Sequence, residues 1–282
     1  MSPLLVTGAK GRLGSALYQY FSSKGEDVVG ISREEADLAQ KDSLVKLMKR
    51  VKPRAILHAA AMTDVDKCEL NPEQAYRDNY LATLNLADIS HEMKARLVAL
   101  STDYVFDGVK PSPYVEDDLP NPVNVYGRTK LDAEEAVKSV LTDYLIIRVS
   151  WLFGGKGDFV SFVKNTVSEG KVLKLVSDHR GCPSYISDLL PALELLLTSG
   201  AIGVYHLTNS GYCTRYQMGQ EILRLIGSDA IPWEATSEEV GFVAKRPKQS
   251  VLSCVKYEKM SAEPIRTWQE ALYAYVKNTG KG

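Results

Sequence analysis

A glycine-rich turn near the start of the chain constrains the fold more than any other feature. Its spacing, GxxGxxG, covers Gly8, Gly11 and Gly14, and it stands between an apolar run at 4–7 and an amphipathic stretch at 11–24. Glycine permits a tight turn and lets the backbone approach a pyrophosphate, while the start of the next helix offers free N–H groups. The pattern therefore predicts a dinucleotide-binding turn that uses Gly8, Lys10, Gly11, Arg12, Leu13 and Gly14.

Apolar runs and amphipathic stretches alternate through the first half of the chain. They predict strands at 4–7, 27–31, 55–58, 97–101 and 144–149, and helices at 11–24, 43–51, 72–92 and 125–141. Strands separated by helices form a parallel sheet with right-handed crossovers. The second half is less regular, with helices predicted at 158–168, 186–198, 216–226 and 267–277.

This pattern predicts an α/β fold in which a Rossmann-type doubly wound parallel sheet binds NAD(P). We assign residues 1–150 to that domain and residues 151–282 mainly to a smaller C-terminal α/β substrate lobe, with some segments returning to the first domain.

Composition excludes several classes of partner. The chain has 282 residues and a formal net charge of -1, so neither nucleic acid nor an anionic membrane is expected to bind it. No signal peptide or membrane span is recognisable, which predicts a cytoplasmic protein. The four cysteines are widely spaced and form no Cys/His cluster, so neither a disulfide nor a metal site is expected.

The end of the second strand bears on the choice of cofactor. An acidic residue at this place binds a ribose hydroxyl, whereas an arginine accommodates a 2′-phosphate. Arg33, helped by Lys10 or Arg12, favours NADP(H), although Glu34 and Glu35 follow at once and leave NAD(H) as an alternative. Arg33 could instead be a solvated surface residue. Asp37 and Leu38 lie further on, where the chain could pass under the adenine.

A YxxxK pattern opens the helix between the fourth and fifth strands. Tyr126 and Lys130 are one turn apart, so they share a helix face, and a neighbouring ammonium favours the phenolate. Thr102 ends the fourth strand, at the edge where parallel sheets bind ligands. Its hydroxyl could bind a substrate carbonyl, with Ser101 as the competing candidate on the opposite face. The plainer alternative is a strand-ending Ser-Thr-Asp turn and a surface tyrosine.

Seven blocks in order along the chain resemble the dTDP-4-dehydrorhamnose reductase family of the extended short-chain dehydrogenases. The similarity covers nearly the whole sequence, and the block at 101–108, STDYVFDG, is its most specific part. The other blocks lie at 58–69, 126–130, 148–151, 178–184, 246–252 and 268–272. His58 and Cys182 depart from the residues usual there, asparagine and alanine, and we interpret His58 as a satisfied core histidine.

The resemblance implies NADP(H)-dependent reduction of the C4 ketone of dTDP-4-dehydro-6-deoxy-L-mannose to dTDP-L-rhamnose, with a homodimer as the family's assembly. It implies a catalytic trio of Thr102, Tyr126 and Lys130, the last two also touching cofactor. Further cofactor contacts would come from Arg12, Leu13, Asp37, Leu38, Ala59, Ala60, Ala61 and Thr63. Substrate contacts would come from Thr102, Tyr104, Trp151 and Arg246, where Arg246 could bind the diphosphate or form a structural ion pair.

Three alternatives stay open at this point. The chain could reduce another nucleotide-linked keto sugar, because the irregular second half reads the hexose. A sugar-nucleotide epimerase is less well supported, since Arg33 favours NADP(H) and Arg12-Leu13 replaces the usual Phe-Ile. A non-catalytic NADP-binding regulatory subunit, similar to the methionine adenosyltransferase beta subunit, shares much the same motifs.

Overall fold

The computed structural model describes residues 2–279. Met1 and residues 280–282, at the outer ends of the two predicted domains, lie outside the described residues.

The described chain alternates strands and helices from its first residues. Its strands are β1 (Leu4–Thr7), β2 (Val28–Ile31), β3 (Ala55–His58), β4 (Arg96–Thr102), β5 (Tyr144–Val149), β6 (Leu152–Phe153), β7 (Lys174–Val176), β8 (Arg180–Gly181), β9 (Ser184–Tyr185), β10 (Gly203–His206), β11 (Cys213–Thr214) and β12 (Trp233–Ala235). Its helices are α1 (Arg12–Ser23), α2 (Lys41–Val51), α3 (Val65–Leu70), α4 (Pro72–Ala75), α5 (Ala82–Met93), α6 (Val125–Val140), α7 (Phe159–Ser168), α8 (Ile186–Thr198), α9 (Arg215–Leu225), α10 (Ser237–Val240), α11 (Val255–Ser261) and α12 (Trp268–Thr279).

Six strands form one sheet in the order β10-β5-β4-β3-β1-β2, and every neighbouring pair is parallel. The chain builds outward from β1 to β2, then crosses over and continues through β3, β4 and β5 on the other side. The crevice beyond the carboxyl ends of β1 and β3 is therefore the topological switch point, where open α/β sheets bind ligands. Strand β10 comes from the second half of the chain and completes the far edge.

Both faces of the sheet are buried because its strands are apolar at successive positions. Leu4 and Val6 point to one face, where α1 and α8 contribute side chains such as Leu17 and Leu193. Leu5 points to the other face, which α2, α5 and α6 cover. A doubly wound sheet follows from this two-sided burial, and the predicted fold class is confirmed.

A separate apolar cluster forms a lobe beside the sheet. It contains buried residues of β6, α7, β7, α9 and α12, among them Phe153, Val163, Met218 and Leu272. Three two-stranded sheets, β11-β8, β12-β7 and β6-β9, connect its segments. These short strands have no period long enough to predict from sequence, so only the lobe's helices were expected.

The predicted helix at 72–92 is divided by a π-helical turn, Tyr76–Leu81, between α4 and α5. This turn carries buried Asn79, whose side chain accepts from the Met62 N–H at 2.7 Å and donates to Thr129 Oγ1 at 3.0 Å. Asn79 thereby ties the loop after β3 to α6. In the part of the chain that the structure describes, no helix has the length and apolarity needed to cross a membrane.

Candidate active site

The turn after β1 is built on close backbone contacts. Gly8 has a φ of 68°, and a Cβ there would lie 2.8 Å from the backbone nitrogen of Ala60. A Cβ on Gly14 would lie 2.1 Å from the Gly8 carbonyl oxygen, so neither glycine can carry a side chain. Within the described residues, no side chain caps the start of α1 at Gly11. The first N–H groups of α1 are therefore free for a phosphate, and the turn fits a dinucleotide.

A cavity of about 390 Å³ opens at this turn. Its walls are the β1–α1 turn, the loop after β2 and the loop after β3. Nine predicted cofactor residues line it: Gly8, Lys10, Gly11, Arg33, Asp37, Leu38, Ala59, Ala60 and Ala61. Leu13 and Gly14 do not line it, because Leu13 packs against the core and Gly14 supports the turn from beneath.

Charged residues at the rim of this cavity form pairs. Arg33 Nη2 lies 2.5 Å from Asp78 Oδ2, and the Arg33 side chain is 70% exposed. Lys10 pairs with Glu34, and Asp37 pairs with Arg77. Glu35 accepts hydrogen bonds from the N–H and the hydroxyl of Ser32, which lower the pKa of its carboxyl and hold it within its own loop. Arg33 and Lys10, two of the predicted 2′-phosphate cations, thus already have acidic neighbours, whereas the third, Arg12, donates to the Leu152 carbonyl oxygen.

A second cavity, of about 620 Å³, lies between the sheet and the lobe. It brings together Thr102, Tyr104, Tyr126, Trp151 and Arg246. Arg12 and Thr63, predicted as cofactor contacts, line this cavity rather than the first. The loop after β3 joins the two spaces, since Ala61 lines one and Thr63 lines the other. Both lie beyond the carboxyl edge of the sheet.

Thr102 and Tyr126 are held against each other by the packing of α6. The helix begins after Asn124, whose side chain accepts from the Gly127 N–H at 2.8 Å. A Cβ on Gly127 would lie 2.1 Å from the Tyr104 carbonyl oxygen, so the helix sits directly on the turn after β4. Burial raises the pKa of the Tyr126 phenol, and a hydrogen bond with Thr102 works against that rise. The phenol is therefore un-ionised and available as a proton donor.

Lys130 lies one turn further along α6, beneath the cavity floor. It is buried, it lines neither cavity, and its Nζ donates to the Leu100 carbonyl oxygen at 2.6 Å. Burial lowers the pKa of this ammonium to about 8, although the charge of Glu134 favours the protonated form. Lys130 therefore lies beneath the site and outside both cavities in this structure.

The competing strand residue, Ser101, also lines the second cavity, but its hydroxyl is bound on the side away from Tyr126. Its hydroxyl donates to Glu134 at 2.5 Å, and Glu134 also pairs with buried Arg148. This agrees with the alternation of side chains along a strand. Of the two hydroxyls, Thr102 is the one placed beside Tyr126.

Three predicted substrate residues line the second cavity in different ways. Tyr104 packs edge-on against Tyr126, with ring centroids 5.9 Å apart. Trp151 has a φ of 40°, a left-handed backbone that is unfavourable for a residue of this size. Arg246 binds Asp66 through two hydrogen bonds of 2.9 and 3.0 Å and stacks on Phe242. Of the two alternatives predicted for Arg246, the structure therefore contains the structural ion pair.

Among the cavity residues that escaped prediction, two have distinctive contacts. Asp103 was visible in the Ser-Thr-Asp turn, yet its role as the buried acceptor for Thr102, Ser150 and Ser250 depends on distant segments. Arg215 stacks on the rings of Trp151 and Phe159, with 3.9 and 4.6 Å from its Cζ to the ring centroids. In sequence it is an ordinary arginine at a helix start, so no local signal distinguishes it.

The histidine and cysteine predictions concern the core. His58 is buried and hydrogen-bonds Thr7 and Thr83 through its two ring nitrogens, so it is a satisfied core histidine. The cysteines are unpaired, and three of them are buried. Within residues 2–279 no cluster of three or more His, Cys, Asp or Glu side chains is placed to hold a metal.

A dinucleotide turn at the switch point and a Thr-Tyr-Lys set beside a second cavity define an NAD(P)H-dependent oxidoreductase of the extended short-chain dehydrogenase class. Comparisons with known proteins then narrow this class.

The model of the family described as RmlD substrate binding domain matches residues 1–280. The spore coat polysaccharide biosynthesis protein SpsK of Bacillus subtilis is 35% identical over 278 residues, which cover 98% of both chains. The dTDP-4-dehydrorhamnose reductase of Mycolicibacterium smegmatis is 32% identical over 274 residues, 95% of this chain and 83% of that one. A crystal structure of dTDP-4-dehydrorhamnose reductase from Bacillus anthracis in complex with NADP superposes with a TM-score of 0.94 at 30% identity, covering 98% and 99% of the two chains. The chain belongs to this reductase family.

Proposed function

We propose that the protein reduces the C4 ketone of dTDP-4-dehydro-6-deoxy-L-mannose to dTDP-L-rhamnose, with NADP(H) as the preferred cofactor. The observation that carries the proposal is the contact of Tyr126 with Thr102 at the wall of the second cavity. Similarity to reductases that are named for this substrate supports the choice of sugar.

In this proposal Tyr126 is the proton donor. Bound NADPH supplies a hydride to the carbonyl carbon, and the oxygen then needs a proton. The Tyr126 phenol, un-ionised and half-buried at the cavity wall, supplies it. The Thr102 hydroxyl, which donates to Asp103 in this structure, would turn its proton to the same oxygen when substrate binds. The ammonium of Lys130 stabilises the phenolate that remains, because an opposite charge nearby favours the ionised phenol.

The cofactor would lie along the first cavity and reach the second past the loop after β3. The free N–H groups of α1 and the turn at Gly8, Lys10 and Gly11 would bind the pyrophosphate. Arg33 and Lys10 would bind the 2′-phosphate after exchanging their acidic partners for it. That exchange makes the preference for NADP(H) over NAD(H) smaller than two free cations would give.

The second cavity would receive the hexose and its nucleotide. Trp151 would stack on the apolar face of the sugar, and Tyr104 would contact it beside Tyr126. Arg246 would retain its ion pair with Asp66 and form part of the cavity wall, stacked on Phe242.

The test uses purified protein, dTDP-4-dehydrorhamnose and NADPH, with cofactor oxidation followed by absorbance and the product identified by mass spectrometry and NMR. Turnover should require Tyr126: Tyr126→Phe should lose nearly all activity while its NADPH affinity stays close to that of the wild type. The exposed Tyr212 provides the matched control, and Tyr212→Phe should remain active.

Full activity of Tyr126→Phe would exclude the phenol as the donor. Turnover confined to a different keto sugar would keep the chemistry and change the substrate. No oxidation with any sugar nucleotide, together with tight binding to a methionine adenosyltransferase, would favour the regulatory subunit. The cytoplasmic location and the homodimer stay predictions, to be checked by cell fractionation and by analytical ultracentrifugation.

A further inference from the structure

Arg215 occupies an unusual position at the wall of the second cavity. It is the first residue of α9, and its guanidinium stacks on two rings from other segments, Trp151 and Phe159. A Cβ on Gly181 would lie 2.4 Å from Trp151 Cε2, so the indole packs directly against the Gly181 backbone. The left-handed φ of Trp151 fixes the same ring from its own main chain. The guanidinium is thus held by a rigid aromatic platform.

The guanidinium has no acidic partner. Among residues 2–279, no carboxylate lies within ion-pair distance of Arg215, and no acceptor forms a hydrogen bond with its guanidinium. Arg246 differs, because Asp66 neutralises it through two hydrogen bonds. A guanidinium carries five N–H donors in a planar fork, and the described part of the chain leaves those of Arg215 unused.

The surrounding cavity is positively charged. Arg12, Lys174, Arg215 and Arg246 line it, and the acids that line it are Asp103 and Asp158. Both acids are already committed. Asp103 accepts from three hydroxyl groups, and Asp158 accepts from backbone N–H groups at the start of α7. An anion that enters this cavity meets the Arg215 guanidinium, which has no ion-pair partner among the described residues and on which the buried carboxylate of Asp103 acts only as a neighbouring charge.

We infer that Arg215 binds the diphosphate of the sugar-nucleotide substrate and is the main anchor for its charge. The inference rests on the proposed function and assigns a residue to its substrate site. The diphosphate is the anionic part of such a substrate, whereas the hexose and the base are neutral. A planar guanidinium suits bidentate binding to phosphate oxygens. Because the rings already fix the side chain, little rotamer freedom is lost when the ligand binds.

The experiment measures dTDP binding by calorimetry to the NADPH-saturated protein. Arg215→Met removes the charge and keeps a long apolar side chain, so it should weaken dTDP binding about 10- to 100-fold. Thymidine carries no phosphate, so its weak binding should change less than 2-fold. NADPH affinity should also stay within about 2-fold, because Arg215 does not line the first cavity. Arg215→Lys should retain part of the dTDP affinity.

Arg224→Met is the matched control. Arg224 lies on the same helix, but it is exposed and pairs with Glu221 at 2.6 Å. It should bind dTDP like the wild type. Because Arg215 has no ion pair to lose, Arg215→Met should melt at or above the wild-type temperature, which separates loss of binding from loss of folding.

A dTDP affinity in Arg215→Met within 2-fold of wild type would overturn the inference, and so would an equal loss for thymidine. Steady-state kinetics distinguishes this failure from failure of the proposed function. If wild-type protein turns over dTDP-4-dehydrorhamnose and Arg215→Met has an unchanged KM, the inference fails and the function stands. If Arg215→Met loses dTDP binding but wild type never oxidises NADPH, the anchor stands and the reaction assignment fails.

Discussion

The hydroxyl of Thr102 donates a 3.1 Å hydrogen bond to the carboxylate of Asp103, its immediate neighbour in sequence. The same carboxylate accepts from Ser150 at 2.9 Å and from Ser250 at 2.5 Å. Burial raises the pKa of Asp103 to about 6, and these three bonds act against that rise. One buried carboxylate therefore joins the ends of β4 and β5 to a distant loop and orients the hydroxyl beside Tyr126.

Asp103→Asn should lower kcat about 10-fold or more. An amide has one oxygen where the carboxylate has two, so one of the three hydroxyl donors loses its acceptor and Thr102 loses its fixed direction. NADPH affinity should change little, since Asp103 lines only the second cavity. Steady-state kinetics and cofactor titration measure both effects. Asp88→Asn, a surface carboxylate that pairs with Lys41, is the control and should behave like wild type.

Lys130 should give the reaction an alkaline limb near pH 8. Burial lowers its pKa from 10.5 to about 8, so the ammonium is present below that pH and lost above it. Because the role proposed for that charge is to stabilise the Tyr126 phenolate, kcat/KM should fall as the pH rises through 8. Arg in place of Lys stays charged, so in Lys130→Arg the limb should move to higher pH whatever the residual rate. A wild-type profile that is flat from pH 7 to 10 would contradict this role.

Substitutions of Arg33 and of Asp78 should change the affinity for NADPH in opposite directions. Arg33→Ala removes a cation from the rim of the first cavity and should weaken NADPH about 10-fold while changing NADH little. Asp78→Asn frees Arg33 from its 2.5 Å ion pair and should tighten NADPH several-fold. Fluorescence titration measures the affinities of both variants for NADPH and for NADH. Arg54→Ala, which breaks a surface pair with Glu26 away from both cavities, is the control. Equal losses of NADPH and NADH in Arg33→Ala would show that Arg33 does not read the 2′-phosphate.

His58 should make the fold sensitive to acid. Burial, the larger cause, and the charge of Lys130, the smaller one, lower the pKa of His58 from 6.5 to about 3. In the unfolded chain His58 is protonated below about pH 6.5, whereas in the folded chain it stays neutral until about pH 3. The free energy of unfolding therefore falls as the pH drops through this window. At pH 5 one such histidine costs about 2 kcal/mol.

His58→Asn should lose less stability than wild type between pH 7.5 and pH 5, as measured by urea unfolding. The exposed His91 serves as the control, and His91→Asn should retain the wild-type difference. The comparison uses the change with pH rather than the absolute free energy of unfolding, because the substitution also alters packing. An unchanged difference in His58→Asn would mean that other groups cause the acid sensitivity.

Local pattern was sufficient for much of the sheet. The bounds predicted for β1, β3, β5 and α8 agree with the structure because each is a buried apolar run or an amphipathic helix with clear ends. The glycine turn was readable because the positive φ of Gly8 and the close contact of Gly14 admit no other residue.

Features that depend on tertiary contacts could not be predicted from the sequence. The π turn at Tyr76–Leu81 leaves the helical period of the sequence almost unchanged, so the segment was predicted as one helix. Arg33, Lys10 and Asp37 each acquire a partner from a different part of the chain, and the sequence gives no sign of these pairs. Arg215 is defined only by the rings that fold against it.

The position of β10 at the edge of the main sheet has a consequence for engineering. Helices α8 and α11 and strand β10 pack with the sheet, whereas β6, α7, β7, α9 and α12 build the lobe beside the second cavity. A chimera meant to acquire another relative's sugar preference would therefore need a crossover on each side of the retained stretch 186–207 and on each side of α11. A single splice at the middle of the chain would pair β5 of one parent with β10 of the other.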